Sequence, residues 1–218
     1  MTADTDTPRL RFFHAPNTRS SGVLALLEEL GAVAGRDYER CVIDFKRGEQ
    51  RAPAFMAINP MGKVPALVDG TALITEQPAI YQYLAERFPQ AGLAPPVGDP
   101  QRGPFLRWLA YYGSSFEPAI IDKALKRDAP PPSMCPWGDD QTMQDTYVAA
   151  LQRGPYFLGE RYSAVDVLWG SALTWMLGFK LVPELPVIVD YVARCNARPA
   201  VQRAKALDAS LAAELDAR

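Results

Sequence analysis

The chain has 218 residues, 48% apolar and 22% charged, with a formal net charge of -2. That length allows one or two domains with a sizeable core, and the near-neutral charge gives no electrostatic footprint for nucleic acid or an anionic membrane. No apolar stretch approaches a membrane span, and Cys41, Cys135 and Cys195 are far apart with no Cys-x-x-Cys, which excludes a disulfide framework, a zinc knuckle or a dithiol and fits a reducing cytoplasm.

Met1 to Pro8 is polar, with neither a basic region nor an apolar run, so no signal peptide is expected there. Leu10–Phe13 predicts a strand and Ala15–Thr18 a turn. Ser20 to Leu30 predicts a helix, because Val23, Leu24, Leu26, Leu27 and Leu30 recur at helical spacing and Gly31 stops them. The single histidine, His14, makes a multi-histidine metal site impossible and offers no Ser–His pair worth defending; no metal is expected. Tyr38 to Phe45 predicts a second strand with Cys41, Ile43 and Phe45 on one face, and Gly48 to Ala57 a short helical segment.

Pro65 stands at the start of the strand Ala66–Val68, where a missing ladder donor is tolerated, and Val64-Pro65 is a candidate cis bond. A cis bond turns the Val64 N–H and C=O outward, free to pair with an extended peptide. Asp69-Gly70 reads as a two-residue hairpin leading to Ala72–Ile74. A helix follows over Pro78–Phe88, with Glu76 and Gln77 beside its positive end, where a carboxylate is favoured. Strand, helix, strand, helix, hairpin, helix is the order of a thioredoxin-like sheet.

Pro89 to Pro100 is rich in Pro, Gly and Ala and reads as a linker. Beyond it only helices are predicted. Gln101 to Arg127 is a long amphipathic segment that Pro118 should kink; Asp140–Gln152, Ala164–Leu177, Pro186–Asn196 and Pro199–Leu215 follow. Ser163-Ala164-Val165-Asp166, ahead of an apolar run, is a capping box whose role is structural.

Four segments together resemble the glutathione transferases, and in particular the bacterial-type cytosolic members. They are Asn59-Pro60-Met61-Gly62-Lys63-Val64-Pro65, Thr75 to Ile80, Leu27-Glu28-Glu29-Leu30-Gly31, and Ser163 to Asp166 after Phe157-Leu158-Gly159. The likeness runs from about Leu10 to the end. It implies an α/β plus all-α architecture: an N-terminal thioredoxin-like domain over 9–88, a linker over 89–100 and a C-terminal helical bundle over 101–218. It also implies glutathione as cosubstrate, a small-molecule electrophile as its partner, and usually a two-fold homodimer.

Carried over residue by residue, the resemblance has Val64 pairing through its backbone with the cysteinyl unit beside a cis Pro65. Glu76 and Gln77 hold the γ-glutamyl end, although many relatives have Ser where this chain has Gln77. Lys63, with Gln50 or Arg51, pairs with the glycyl carboxylate. The thiolate-stabilising donor belongs at the start of the first helix. There the position usually held by Ser is Asn17, and the one held by Cys in a bacterial class is Arg19. Asn17, with Ser20 and Thr18 behind it, is the expected donor; Ser21 stays open, and any of the four can instead cap the helix. An aromatic second-substrate pocket between the domains is expected from Trp108, Tyr111, Tyr112 and Phe116, with Pro130 to Trp137 as a flap.

The leading expectation is conjugation of glutathione thiolate to electrophilic small molecules. The alternatives are glutathione-dependent disulfide or peroxide reduction, and a non-catalytic glutathione-anchored binding protein. Cys41 as a redox centre ranks below these, since it shares an inward strand face with Ile43 and Phe45.

Overall fold

Alternation along Leu10–His14 sends Phe13 to one face of a sheet and Phe12 and His14 to the other, so both faces of this strand (β1) must be covered. The computed structural model describes residues 10–128 and 130–218, and the expectation for Met1–Pro8 lies outside them. Strands β2 (Glu39–Val42), β3 (Ala66–Asp69) and β4 (Ala72–Ile74) complete a sheet of order β2-β1-β3-β4. β1 runs parallel to β2, with Phe13 opposite Cys41, and antiparallel to β3, with Phe13 opposite Ala66. β2 is shorter than the predicted Tyr38–Phe45, because past Val42 the chain turns into a loop held by Asp44, whose carboxylate accepts the N–H groups of Lys46 and Arg47.

Asp69 pairs with Ala72, so the hairpin loop is Gly70-Thr71, one residue later than expected. Gly70 takes the positive φ of 61°. Asp69 instead ends β3, where its carboxylate accepts the Tyr83 hydroxyl at 2.7 Å. Tyr83 lies on α3 (Gln77–Arg87), so this bond ties the hairpin to that helix.

Helix α1 (Ser20–Glu29) buries Val23, Leu24, Leu26 and Leu27. On the other face of the sheet, Phe13, Ala15, Ile43, Val64, Ala66 and Val68 pack with Phe55 of the short helix α2 (Pro53–Met56).

The chain divides into two compact units: the segment up to Ala91 together with Pro199–Arg218, and Gly92–Arg198. The last helix therefore belongs to the first unit, although its sequence continues the helical half. That helix, α9 (Pro199–Asp216), packs along α1, and Arg203 reaches Glu28 at 2.9 Å.

The second unit is all-helical among the described residues. It comprises α4 (Arg102–Tyr111), α5 (Glu117–Ala124), α6 (Asp140–Leu151), α7 (Ala164–Gly178) and α8 (Pro186–Asn196). The kink expected at Pro118 takes the form of a π-helical turn over Tyr112–Phe116, joining α4 to α5. Pro118 has no N–H to give to the carbonyl four residues back and its ring crowds that carbonyl; widening the preceding turn relieves both.

Trp169 is fully buried and contacts Trp108, Tyr111, Tyr112, Phe116, Tyr147 and Phe157, and its indole N–H donates to the Trp108 carbonyl at 3.1 Å. The capping box at Ser163 is formed. Asp166 accepts the Ser163 N–H at 2.9 Å, the Phe157 N–H at 2.9 Å and the Tyr191 hydroxyl at 3.1 Å. Among the described residues no helix is long and apolar enough to cross a membrane.

Candidate functional site

Pro65 opens β3 through a cis Val64–Pro65 bond, as the sequence pattern predicts. The loop before it is closed by Asn59, whose side-chain amide donates to the Lys63 carbonyl at 2.8 Å and whose Oδ1 accepts the Met61 N–H at 3.2 Å. Among the described residues neither the N–H nor the C=O of Val64 is paired. A donor and an acceptor at the head of an otherwise satisfied strand form a short edge that can take an extended peptide backbone.

Two further features flank this edge. Glu76, exposed at the start of α3, has φ 64° and ψ 121°, a conformation that ordinary side chains avoid. It is the N-cap residue of that helix, at its positive end. Gln77 is turned elsewhere: its side-chain N–H donates to the Arg19 carbonyl at 3.1 Å, lashing the start of α3 to the start of α1. On the other side the 3₁₀ turn Glu49–Arg51 presses against Gly62, where an added Cβ would sit 2.7 Å from the Gln50 carbonyl and 3.0 Å from the Arg51 guanidinium. Gln50 is half-buried with an unpartnered side-chain oxygen, while the Arg51 guanidinium reaches the Met61 carbonyl at 3.4 Å and Lys63 is exposed.

The turn between β1 and α1 shows how the predicted hydroxyl donors are used. Ser20 is fully buried: its Oγ lies 2.8 Å from His14 Nδ1, accepts the Ala15 N–H at 3.0 Å and lies 2.8 Å from Thr18 Oγ1. It cannot reach a ligand, which corrects the reading of Ser20 as a thiolate donor. Thr18 gives its hydroxyl proton to the Ala15 carbonyl at 2.7 Å and caps α1 by accepting the Ser20 N–H at 3.2 Å. Ser21 donates to the Asp208 carboxylate at 2.9 Å. Asn17 remains exposed, in the left-handed region at φ 55°, with its backbone N–H donated to Asp208 at 3.0 Å. Asn adopts this conformation more readily than most residues.

Asp208 was invisible as a site residue in the motif pattern, yet a signal existed. Ala200, Ala204, Asp208 and Leu211 form the buried stripe of α9, and an acid on an apolar stripe needs partners. Burial pushes its carboxyl up, but His14, the Asn17 N–H and Ser21 together outweigh this and hold it below its ordinary value. The Nε2 of His14 lies 3.1 Å from Asp208 Oδ1 without hydrogen-bond alignment. Beside the same turn a pocket of about 240 Å³ is lined by Pro16, Asn17, Phe45, Lys46, Leu215 and Asp216, among others.

The aromatic residues predicted to line a second-substrate pocket do otherwise. Trp108, Tyr112 and Phe116 are buried in the cluster around Trp169, and the half-exposed Tyr111 gives its hydroxyl to the Met143 carbonyl. Trp108, Tyr112 and Phe116 are core, since a helix that must bury a stripe buries its largest apolar rings first. Burial pushes the Cys41 thiol up to about 11, which argues against a redox role. No group of three or more metal-ligating side chains is found among the described residues.

Residues 8–86 match the family model "Glutathione S-transferase, N-terminal domain". The glutathione S-transferase GstA of Escherichia coli O157:H7 is 31% identical over 89% of this chain and 96% of its own. The chain belongs to the glutathione transferase family. A maleylacetoacetate isomerase of Pseudomonas aeruginosa is also 31% identical, over 82% of each chain. Among solved structures, a glutathione transferase homologue from Sulfitobacter with bound glutathione superposes with a TM-score of 0.72 at 28% identity, covering 90% of this chain and 97% of that one.

Proposed function

We propose that this glutathione transferase binds glutathione along the Val64–Pro65 edge and adds its thiolate to small electrophiles. The unpaired N–H and C=O of Val64, between the strained Glu76 and the orphaned Gln50 oxygen, carry the reading. A tripeptide offers what each lacks. Its cysteinyl backbone pairs with Val64, its γ-glutamyl ammonium meets the Glu76 carboxylate, and an amide N–H satisfies Gln50. Lys63 and Arg51 supply positive charge for the glycyl carboxylate. The glutathione bound in the Sulfitobacter homologue supports the same ligand here.

Activation of the thiol falls to Asn17. Its amide donates without changing its own charge, so it stabilises a thiolate and cannot act as a base. Moving a thiol from about 8.5 to about 6.5 needs roughly 2.7 kcal/mol, within reach of one hydrogen bond plus the field at the start of α1. The thiolate sulfur then bonds to the electrophilic carbon, whose electron pair leaves with a departing group or is protonated by water. The pocket beside Asn17, with Phe45 and Leu215 on its wall, suits a small and largely apolar electrophile.

We further propose a two-fold homodimer in the cytoplasm, on the family's habit and on the reducing setting that suits three free cysteines. Sedimentation should give about twice the 24.0 kDa of one chain; a single-chain species alone overturns the dimer. For the site, calorimetry with glutathione should show binding at least tenfold weaker in Glu76→Ala, about 1.4 kcal/mol, and an unchanged affinity would remove the assignment. A panel of an aryl halide, a hydroperoxide, a hydroxyethyl disulfide and a maleyl double bond, the last prompted by the isomerase relative, separates conjugation from reduction and isomerisation.

A further inference from the structure

The turn that presents Asn17 is held from outside its own segment. Asp208 lies on α9, 191 residues away in sequence, and its carboxylate reaches both ends of the turn. It takes the Asn17 N–H at 3.0 Å and the Ser21 hydroxyl at 2.9 and 3.0 Å. Below it sits His14, fully buried, with Nδ1 on Ser20 and Nε2 against the same carboxylate. His14, Ser20, Ser21 and Asp208 thus form one connected polar cluster beneath the turn.

We propose that Asp208 is a positioning residue for the reaction: by holding the Asn17 backbone in its left-handed turn, it aims the Asn17 amide outward at the thiol. Two facts make this more than a structural tie. First, the left-handed region is easier for Asn than for most residues but still costs it free energy, and the N–H bond to Asp208 helps to hold Asn17 at φ 55°. Second, a helix start usually aims its free backbone N–H groups at an anion. Here the Asn17, Ser20 and Ser21 N–H groups go to Asp208, Thr18 Oγ1 and the Thr18 carbonyl, which gives the exposed side chain of Asn17 the larger part in any bond directed outward from this turn.

The consequence is specific. The peptide edge at Val64 and the carboxylate of Glu76 do not depend on Asp208, so its loss should spare glutathione binding and damage thiol activation. The inference rests on Asn17 as donor. The test is the ultraviolet absorbance of the bound thiolate titrated against pH in the wild type, Asp208→Ala, Asp208→Asn and Arg203→Ala. Arg203→Ala loosens α9 at its exposed Glu28 contact without touching the turn.

In Asp208→Ala the bound thiol should titrate about one unit higher than in the wild type, with kcat near pH ~6.5 down about fivefold, little loss near pH ~8.5, and glutathione affinity within about twofold. Asp208→Asn keeps an acceptor oxygen and should recover part of the shift, while Arg203→Ala should titrate like the wild type. An unshifted thiol in a folded Asp208→Ala, or in Asp208→Asn should the alanine variant fail to fold, overturns the proposal. So does an equal shift in Arg203→Ala, which would assign the effect to α9 packing. A wild-type thiol that titrates at its ordinary value removes Asn17 as donor and this inference with it, whereas a wild type that fails to bind glutathione at all refutes the binding-site reading as well.

Discussion

Glu76 and Gly62 sit either side of the Val64 edge, and each holds a backbone conformation for a different reason. Gly62 has φ 60° and no room for a Cβ against the Gln50 carbonyl. Gly62→Ala should therefore cost about 1–3 kcal/mol of stability, read as a lower urea midpoint, and weaken glutathione binding by displacing the 3₁₀ turn. Glu76 has space but the wrong torsions for a side chain, at φ 64° and ψ 121°. Glu76→Gly should relieve that conformation and raise stability by about 1 kcal/mol while binding falls. A drop in stability, the usual result of placing glycine in a folded chain, would show that the backbone here is not strained. Asn17, Val64, Glu76 and Gln50 could be nominated from sequence because each belongs to a short motif. That Gln77 is spent on the Arg19 carbonyl, and Ser20 on His14, was not legible there, because those partners come from another element or another turn.

At the scale of elements, two buried carboxylates respond to pH in opposite directions. Asp166, inside the capping box of α7, has its carboxyl pushed up to about 6 by burial, against the donors of Phe157, Ser163 and Tyr191. Its folded value lies above the unfolded one, so its contribution to stability is full below about pH 4 and is lost as pH rises through about 6, a change on the order of a few kcal/mol. Asp208 on α9 is held below its ordinary value, so its contribution is present above about pH 4 and lost as pH falls through the lower folded value. Urea midpoints measured across this range should show Asp166→Asn flattening the decline between about pH 4 and 6, and Asp208→Asn flattening the loss in stronger acid. Equal pH slopes in the wild type and Asp166→Asn would mean that the donors around it, and not burial, set that group. The π-helical turn belongs to this scale too: Pro118 announced a break, and in the folded chain it takes the form of a widened turn that carries Phe116 against Trp169.

For the whole molecule, α9 is the decisive element. It follows the helical half in sequence yet packs on α1 in the first unit, where it supplies Asp208 and, with Leu215 and Asp216, one wall of the pocket beside Asn17. Removing Pro199–Arg218 should lower the thermal midpoint by exposing the packed face of α1, and should reduce turnover more than glutathione affinity. Equal turnover in the truncated protein would detach α9 from the reaction. The sequence alone determined the strand and helix order, the cis bond before β3, the capping box and the family, because these rest on torsional preferences and hydrogen bonds that close within a few residues. Only the tertiary structure decided which hydroxyls were already spent, where the aromatic stripe of α4 would turn, and that an aspartate 191 residues away would hold the turn at Asn17. Helical periodicity says that a face is buried, but the partner it is buried against is chosen by how the whole chain packs.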